Sequence, residues 1–315
     1  MHGLGAGVLI VVGCISVAAC APAPTPIPPK PVAGWSVGAD VDTNGGGFTA
    51  VSCASAVFCV AVDQAGNALT FDGTSWSTPN NIDSGILISV SCPSANFCVA
   101  MNADGSAFIF NGSSWSPAHA VDPNGSALSD VACLSARWCM AVEDDGTVFT
   151  YNGNAWTTTT MQLATVSCSA PTLCVGLDSA GDARYYTPAT GWSAPQVINA
   201  SAATHLTAVV CASRSLCVAS DGTGIVFTYN GTAWSPAAYL LNTPGSGGLV
   251  ACSPSVRLCA FVDVEGTAVS YNGSTWSQRV SVDSSVGFTA VSCAGAGLCA
   301  ATDSSSSIAM YSNGA

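Results

Sequence analysis

FTAVSCASAVFCVAVDQAGNALTFDGTSWS, residues 48–77, is the first copy of a unit that recurs along the chain as far as residue 311. Each of the seven units carries two cysteines with five or six residues between them. The pairs are Cys53 and Cys59, Cys92 and Cys98, Cys133 and Cys139, Cys168 and Cys174, Cys211 and Cys217, Cys252 and Cys259, and Cys293 and Cys299. No apolar run within a unit has the length or the 3.6-residue periodicity of a helix, so solenoids of helical repeats are excluded.

Each unit reads as four short strands separated by turn signals. In the first copy the strands are TAVSC, CVAVD and NALTF, and a fourth begins at SWS. Asp-x-x-Gly after the second strand favours a tight turn, because Asp accepts hydrogen bonds from backbone N–H groups and Gly tolerates positive φ. Asn-Gly or Asp-Gly after the third strand is a hairpin signal. The sequence therefore predicts an all-β, seven-bladed β-propeller with four antiparallel strands, A to D, in each blade.

The count of tryptophans predicts how the ring closes. A Trp follows the hairpin signal in six units, at Trp76, Trp115, Trp156, Trp192, Trp234 and Trp276, but the seventh unit has none. An extra Gly34-Trp35-Ser36 precedes the first unit. We expect this N-terminal strand to complete the last blade. We also expect the tryptophans to fill the spaces between blades, with exposed platforms for sugar stacking as the alternative.

The repeats resemble those of secreted bacterial β-propellers. The turn Asp72-Gly73-Thr74-Ser75-Trp76, like Asn272-Gly273-Ser274-Thr275-Trp276, is similar to a compressed form of the Asp-box, Ser-x-Asp-x-Gly-x-x-Trp, found in sialidase-type propeller repeats. The resemblance implies a propeller across residues 34–315. It implies no activity.

The first 33 residues are typical of an exported, tethered protein. Residues 1–19 have an apolar core followed by small residues, as in a signal peptide. Val17-Ala18-Ala19-Cys20 resembles the bacterial lipobox, which implies lipidation of Cys20, although Val11-Val12-Gly13-Cys14 fits the same pattern and plain secretion is the alternative. Residues 20–33 continue with a proline-rich tether. We expect the propeller to be lipid-anchored on the extracytoplasmic side of a bacterial cell membrane.

Export also decides how the cysteines are interpreted. Pairs of neighbouring cysteines in an exported chain predict seven disulfides, each joining strands A and B of one blade. Zinc is the competitor, but zinc sites favour shorter spacings together with a second pair or a His. No metal site is expected.

The net charge of the chain limits the classes of partner that it is expected to bind. Six Lys and Arg against 18 Asp and Glu give a net charge of −12, which excludes the basic footprint of a nucleic-acid-binding protein. Because successive strands alternate in direction, the B–C and D–A loops share one face of the ring. That face holds sixteen carboxylates, eleven on B–C turns and five in D–A connections, whereas Arg137, Arg214 and Arg257 fall on the opposite face. The candidate binding residues are Asp63, Asp104, Glu143, Asp144, Asp145, Asp178, Asp221, Asp263, Glu265 and Asp303.

Several functions remain open for this acidic face. A binding or scaffold module for a protein or a cell-envelope glycan is the leading hypothesis. The alternative is a glycoside hydrolase-like enzyme that attacks an envelope polysaccharide with carboxylates of the central mouth. A structural role, with turn aspartates serving only local hydrogen bonds, is a third. No catalytic residue stands out, and His119 and His205 lie in D–A connections of different blades.

Cofactors and assembly are the last expectations. No cofactor is expected, although Ca²⁺ is conceivable at residues 143–146 or 263–266, where oxygen ligands cluster. The protein is expected to be a monomer.

Overall fold

A computed structural model describes residues 34–312 with short gaps. The gaps are residues 37, 43–45, 123–125, 160, 171–172, 179, 188, 199–205, 222–223, 241–246, 255–256 and 286. The predicted signal peptide, Cys20, the predicted tether and His205 lie outside the described residues. Within the described residues the one helical segment is a single 3₁₀ turn, Gly295–Gly297.

Seven antiparallel sheets with the strand order A–B–C–D make up the described chain, so the predicted fold class is confirmed. The A strands of blades 1 to 7 are Phe48–Ser55, Leu87–Ser94, Leu128–Ser135, Thr165–Ala170, Leu206–Ser213, Gly248–Cys252 and Phe288–Cys293. The B strands are Phe58–Asp63, Phe97–Asn102, Trp138–Glu143, Leu173–Leu177, Leu216–Asp221, Cys259–Asp263 and Leu298–Asp303. The C strands are Asn67–Phe71, Ser106–Phe110, Val148–Tyr151, Asp182–Thr187, Ile225–Tyr229, Thr267–Tyr271 and Ser307–Ser312.

The outermost D strands are short. In blades 1 to 6 they are Asn80–Asn81, His119–Ala120, Trp156–Thr159, Gly191–Trp192 with Gln196–Val197, Ala238–Tyr239 and Val280–Ser281. Four of these blades add a single bridge between the last aromatic residue of strand C and the Trp that follows it, as between Phe71 and Trp76. Beyond that bridge, Ser77 donates its backbone N–H to Thr70 O and accepts from Thr70 N–H with its hydroxyl. The Ser77 hydroxyl thus accepts the hydrogen bond that a backbone carbonyl would accept in a regular β-ladder.

The N-terminal strand completes the last blade, as predicted. Gly34–Trp35 and Ala39–Asp40 pair with strand C of blade 7, Gly34 opposite Ser312 and Trp35 opposite Tyr311. Ser36 lies between them and donates its N–H to Met310 O at 2.7 Å. The A strands contact one another in cyclic order, with that of blade 7 beside that of blade 1. The ring is therefore closed.

The core lies between blades. Each cluster of buried side chains draws on two neighbouring sheets: Phe48 and Leu69 of blade 1, for example, pack with Ala300 and Ile308 of blade 7. The tryptophans that follow the C–D turns are half-buried against these clusters, and each packs with a tilted ring against the last aromatic residue of strand C. Trp76 and Phe71, for instance, have ring centroids 5.4 Å apart. The tryptophans therefore have the packing role that the sequence favours.

All seven predicted disulfides form, each between cysteines on strands A and B of one blade. Serine hydroxyls add hydrogen bonds between neighbouring A strands. The backbone N–H of Cys92 donates to Ser52 Oγ of the preceding blade, and that of Cys53 donates to Ser292 Oγ across the closure, both at 2.9 Å. These hydroxyls satisfy amides on the free edges of the innermost strands.

Candidate binding faces

The loops sort onto two faces as the strand order requires. A Cβ placed on Gly66, in the B–C turn of blade 1, would lie 2.0 Å from Asp83 O in the D–A connection. At the other end of the blade, a Cβ on Gly73 of the C–D turn would lie 2.9 Å from Val57 in the loop between the disulfide-bonded cysteines. We call the end with the B–C and D–A loops the acidic face, and the end with the A–B and C–D loops the disulfide face.

Half of the predicted binding residues are buried caps of their own turns. Asp63, at the end of strand B, has no exposed surface, and its Oδ1 accepts from the N–H groups of Ala65 and Asn67 at 2.9 and 2.8 Å. The same position holds Asp178, Asp221, Asp263 and Asp303, all at most 7 % exposed and all accepting backbone N–H groups of their turns. These five carboxylates stabilise the B–C turns and are too buried to contact a binding partner.

Four other predicted residues do project into solvent. Asp104, Asp144, Asp145 and Glu265 follow the capping position in their turns and are exposed. Glu265 is ion-paired with Arg279, which also reaches Asp263 Oδ2 at 2.9 Å. The pKa of Asp145 is lowered because its carboxylate accepts from the backbone N–H of Thr147 at 2.8 Å. Among the ten candidate residues, these four are the ones that a ligand can reach.

Glu143 breaks the capping pattern. Its side chain is one methylene longer than Asp, is only 3 % exposed, and leaves Oε1 buried without a partner. Burial raises its pKa to about 7, and the neighbouring charges of Asp122 and Asp145 add to the rise. In blade 2 the same position holds Asn102, whose amide donates to Asp83 at 2.7 Å. A protonated Glu143 can make the corresponding contact with Asp122.

Asp130 is a buried acid that the sequence assigned to neither face. It lies on strand A of blade 3 and its Oδ2 accepts from Thr165 Oγ1 and from the backbone N–H of Val166 in blade 4, at 2.8 and 3.1 Å. Burial raises the pKa of this carboxyl. It takes the bridging role that serines have between other A strands. An Asp in place of the usual Ser or Ala of the repeat was the one signal available in the sequence.

The disulfide face has the opposite charge. Arg137, Arg214 and Arg257 are exposed in the loops between paired cysteines, whereas Asp72 is the one acid in the described loops of this face. Hydrogen bonds from the Thr74 hydroxyl and from the Ser75 and Thr74 backbones lower the pKa of Asp72 to about 2. The remaining two arginines, Arg184 and Arg279, pair with carboxylates at the acidic end.

Open grooves run between blades near the outer rim. The one between blades 2 and 3 encloses about 420 Å³ and is lined by Ile109, His119, Ala120, Val121, Tyr151, Asn154, Ala155 and Trp156. Trp156 Nε1 is buried there without an acceptor. In blade 5 the equivalent Trp234 Nε1 donates to Tyr185 Oη of blade 4 at 2.7 Å. Ile109 on strand C of blade 2 is equivalent to Tyr185 on strand C of blade 4. Each lies opposite the strand B residue that directly follows the second cysteine of its blade.

Neither a cluster of metal-ligating side chains nor a membrane-spanning helix is found in the described part of the chain. No group of three or more His, Cys, Asp or Glu side chains there is arranged to hold a metal ion. None of its helices has the length and apolar character needed to cross a bilayer.

Comparison with known proteins places the fold in a class and goes no further. No protein-family model and no curated protein matches the chain. Among solved structures, a YCF48 structure described as bound to D1 peptide matches with a TM-score of 0.70 at 16 % identity, covering 88 % of this chain and 94 % of that one. YCF48 from Cyanidioschyzon merolae gives 0.66 at 14 %, covering 89 % and 99 %. The WD40 β-propeller domain of Doa1 gives 0.69 at 9 %, covering 88 % and 97 %. The protein is a seven-bladed β-propeller, and at these identities the likeness concerns the fold alone.

Proposed function

We propose that this propeller is an extracytoplasmic, membrane-tethered binding module whose acidic face engages a protein partner. The fold class is consistent with such a role, since one structure of similar fold is described as YCF48 bound to D1 peptide. The signal-peptide pattern and the lipobox-like Cys20 support the location. The seven disulfides support export, because such bonds persist in oxidising compartments.

The separation of charge carries this proposal. Asp104, Asp144 and Asp145 project from adjacent blades into solvent, and no arginine in the described loops around them neutralises that edge. Clustered exposed carboxylates attract a partner with basic residues and speed its association. A basic protein segment is therefore the favoured ligand of the acidic face.

A pair of photo-crosslinkers on intact cells tests the proposal. A benzophenone amino acid at position 144 is expected to capture a discrete protein, and the additional changes Asp104→Asn and Asp145→Asn should weaken that capture and its salt dependence. The same crosslinker at Thr74, on the disulfide face, is the matched control. Equal capture from both positions, or capture that survives neutralisation, contradicts a role for the acidic face.

The anchor is tested separately. Cys20→Ala removes the thiol that would be lipidated, so the protein is expected to move from the membrane fraction to the medium. The measurement is fractionation of cells together with the mass of the N-terminal peptide. An N-terminal peptide of the parent protein that carries no lipid mass would refute the lipid anchor and leave the acidic-face proposal standing.

A neutral envelope glycan is a second candidate ligand, favoured by the groove between blades 2 and 3. Its lining offers the half-buried indole of Trp156, the Asn154 amide and the His119 imidazole, and no carboxylate or arginine. A sugar ring presents apolar C–H faces that pack on an aromatic wall, and its hydroxyls can hydrogen-bond to the exposed side chains of Asn154 and His119. The volume of about 420 Å³ is in the range of small-ligand sites.

Ile109→Tyr gives this second candidate a sharp test. The new hydroxyl should accept from Trp156 Nε1, as Tyr185 does from Trp234, and fill the groove while keeping the fold. If neutral sugars bind there, the indole N–H resonance of Trp156 shifts on titration with glucose, galactose, mannose or N-acetylglucosamine, and Ile109→Tyr abolishes the shift. Tyr185→Phe in the equivalent groove is the control. No shift with any of these sugars would retire the candidate.

The hydrolase alternative has one pair of carboxyls to consider. Glu143 and Asp145 have pKa values shifted in opposite directions, as an acid and a base would. Glu143 is almost fully buried, however, and the adjoining hollow formed by Asp144, Asp145 and Gln162 encloses only about 70 Å³. That space is too small for a sugar ring at the bond to be cleaved, so we do not propose glycoside hydrolysis.

A further inference from the structure

The polypeptide enters the ring at the disulfide face. Gly34 pairs with Ser312, and Ser312 also pairs with Leu298, which directly precedes Cys299. Gly34 therefore lies level with the loops between paired cysteines, and the N-terminal strand runs from there towards Asp40 at the acidic end. Any tether that precedes Gly34 joins the body at the disulfide face.

That same face presents arginines held in place by packing. A Cβ on Gly153 would lie 3.0 Å from Arg137 Cγ, and one on Gly273 would lie 2.6 Å from Arg257 Cβ. The stems of these arginines thus rest on the neighbouring C–D turns while their exposed guanidinium groups face solvent. Arg214 occupies the corresponding loop in blade 5. Among the described residues, none of the three forms an ion pair within the chain.

We propose that the disulfide face, through Arg137, Arg214 and Arg257, docks on an anionic phospholipid surface, so that the tethered ring sits with its acidic face turned away from the membrane. The proposal rests on the proposed lipid anchor for the short distance between body and membrane, and on charge complementarity for the orientation. Arginine suits phosphate because its planar guanidinium donates two parallel hydrogen bonds.

The net negative charge of the protein does not oppose this docking. Strand A spans eight residues in blade 1, which at about 3.3 Å per residue separates the two faces by roughly 25 Å. The Debye length at physiological salt is about 8 Å, so the membrane responds to the face that it meets and is largely screened from the other. The acidic face, if turned to the same membrane, would be repelled. Both faces therefore favour one orientation.

Vesicle sedimentation tests the arginines without relying on the anchor. The protein used is residues 21–315, which lacks Cys20 and keeps every described residue of the closed ring. At physiological salt we expect it to sediment with phosphatidylglycerol vesicles and not with phosphatidylcholine vesicles. Each exposed arginine should contribute up to roughly fivefold in association. The change Arg214→Gln with Arg257→Gln should then weaken association by roughly tenfold or more, and adding Arg137→Gln should remove it.

A double variant with the same charge change serves as control. Arg184→Gln with Arg279→Gln also removes two positive charges, but from the acidic end, and is expected to leave vesicle association unchanged. Melting curves confirm that every variant is folded. Equal binding by all variants, binding to phosphatidylcholine, or binding of soluble anionic polymer without vesicle binding would each overturn the proposal.

Orientation is measured on the tethered protein. With fourteen cysteines in disulfides, a protein that starts at Cys20 has one free thiol, which couples to a maleimide lipid. A benzophenone at Thr74 should then crosslink to lipid and one at Asp144 should not. Lipid crosslinks of equal yield from both positions would overturn the orientation, whether or not a protein partner of the acidic face exists.

Discussion

Aspartate in a tight turn has two uses that look alike in a sequence. It caps the turn by accepting backbone N–H groups, as Asp63 does, or it projects to a partner, as Asp104 does. Both uses select the same residue type at neighbouring positions, so charge counting predicted the acidic face without separating the buried half of its members. The separation requires knowing which residue ends strand B. Asp130 was missed for a related reason, since nothing local shows that a strand residue will bridge to the next blade.

Glu143 makes stability depend on pH. Its pKa is raised to about 7 from an ordinary value of 4.5, so the folded state binds this proton more tightly than the unfolded state. The stabilisation is fully present below the ordinary pKa and is lost as the pH rises through about 7. We expect the melting temperature to fall between pH 5 and pH 8, and Glu143→Gln, a permanent donor to Asp122, to flatten that fall and stabilise the protein at pH 8.

The groups that face Glu143 are Asp122 from the D–A connection and Asp145 from its own turn. Calorimetric melting at several pH values measures the effect. Asp104→Asn is the control because it also turns a carboxyl into an amide on the acidic face, but at an exposed side chain, and it should change the profile little. A Glu143→Gln protein with the same pH slope as the parent would show that another group sets the dependence.

Strands A, B and C were predictable because alternation and turn residues agree on them. Strand D was harder, and its form differs between blades. The expected strand beginning at SWS is, in blade 1, a single bridge at Trp76 followed by Asn80–Asn81. Pro79 between them has no N–H to donate, and the hydroxyl of Ser77 replaces one ladder bond. Whether a side-chain hydroxyl replaces a backbone hydrogen bond depends on side-chain geometry, which the alternation of apolar and polar residues in the sequence does not reveal.

Each disulfide should stabilise its own blade by a modest amount. The loop between Cys92 and Cys98 is short, so the chain-entropy model gives about 2 kcal/mol. Replacing both cysteines with Ala is therefore expected to lower the free energy of unfolding by about that amount, plus a small term for lost packing of buried sulfur, while the circular dichroism spectrum stays native. Denaturant titration measures it. Complete unfolding of this double variant would contradict this estimate and would mean that the fold requires all seven disulfides.

Ring closure should make Trp35 more important than its counterparts. Trp35 packs against Tyr311 and Trp276 packs against Tyr271, with ring centroids 5.4 and 5.0 Å apart. Trp276 is held within its blade by continuous chain, whereas Trp35 lies in a strand that pairs with blade 7 from the far end of the sequence. We expect Trp35→Ala to cost at least twice as much unfolding free energy as Trp276→Ala.

Hydrogen exchange provides a second measure of closure. The backbone N–H of Ser36, bonded to Met310 O, should lose protection in Trp35→Ala and keep it in Trp276→Ala. Equal stability of the two variants, with Ser36 still protected, would contradict this prediction. It would show that the pairing of the N-terminal strand with blade 7 is as stable as the strand pairing within other blades. The closure itself was predictable from one missing Trp and one extra Trp, because a ring leaves no other vacant position.

The seven disulfides are all short-range, and this bears on how their cysteines find their partners during folding. From each cysteine the native partner is at most seven positions away, whereas the next unit's first cysteine follows 29 to 37 positions after a second one. Closing the shorter loop is favoured by roughly tenfold on entropic grounds. Correct pairing can thus arise by proximity while the polypeptide emerges, before any distant segment is available. Oxidation would proceed unit by unit and require little help from an isomerase.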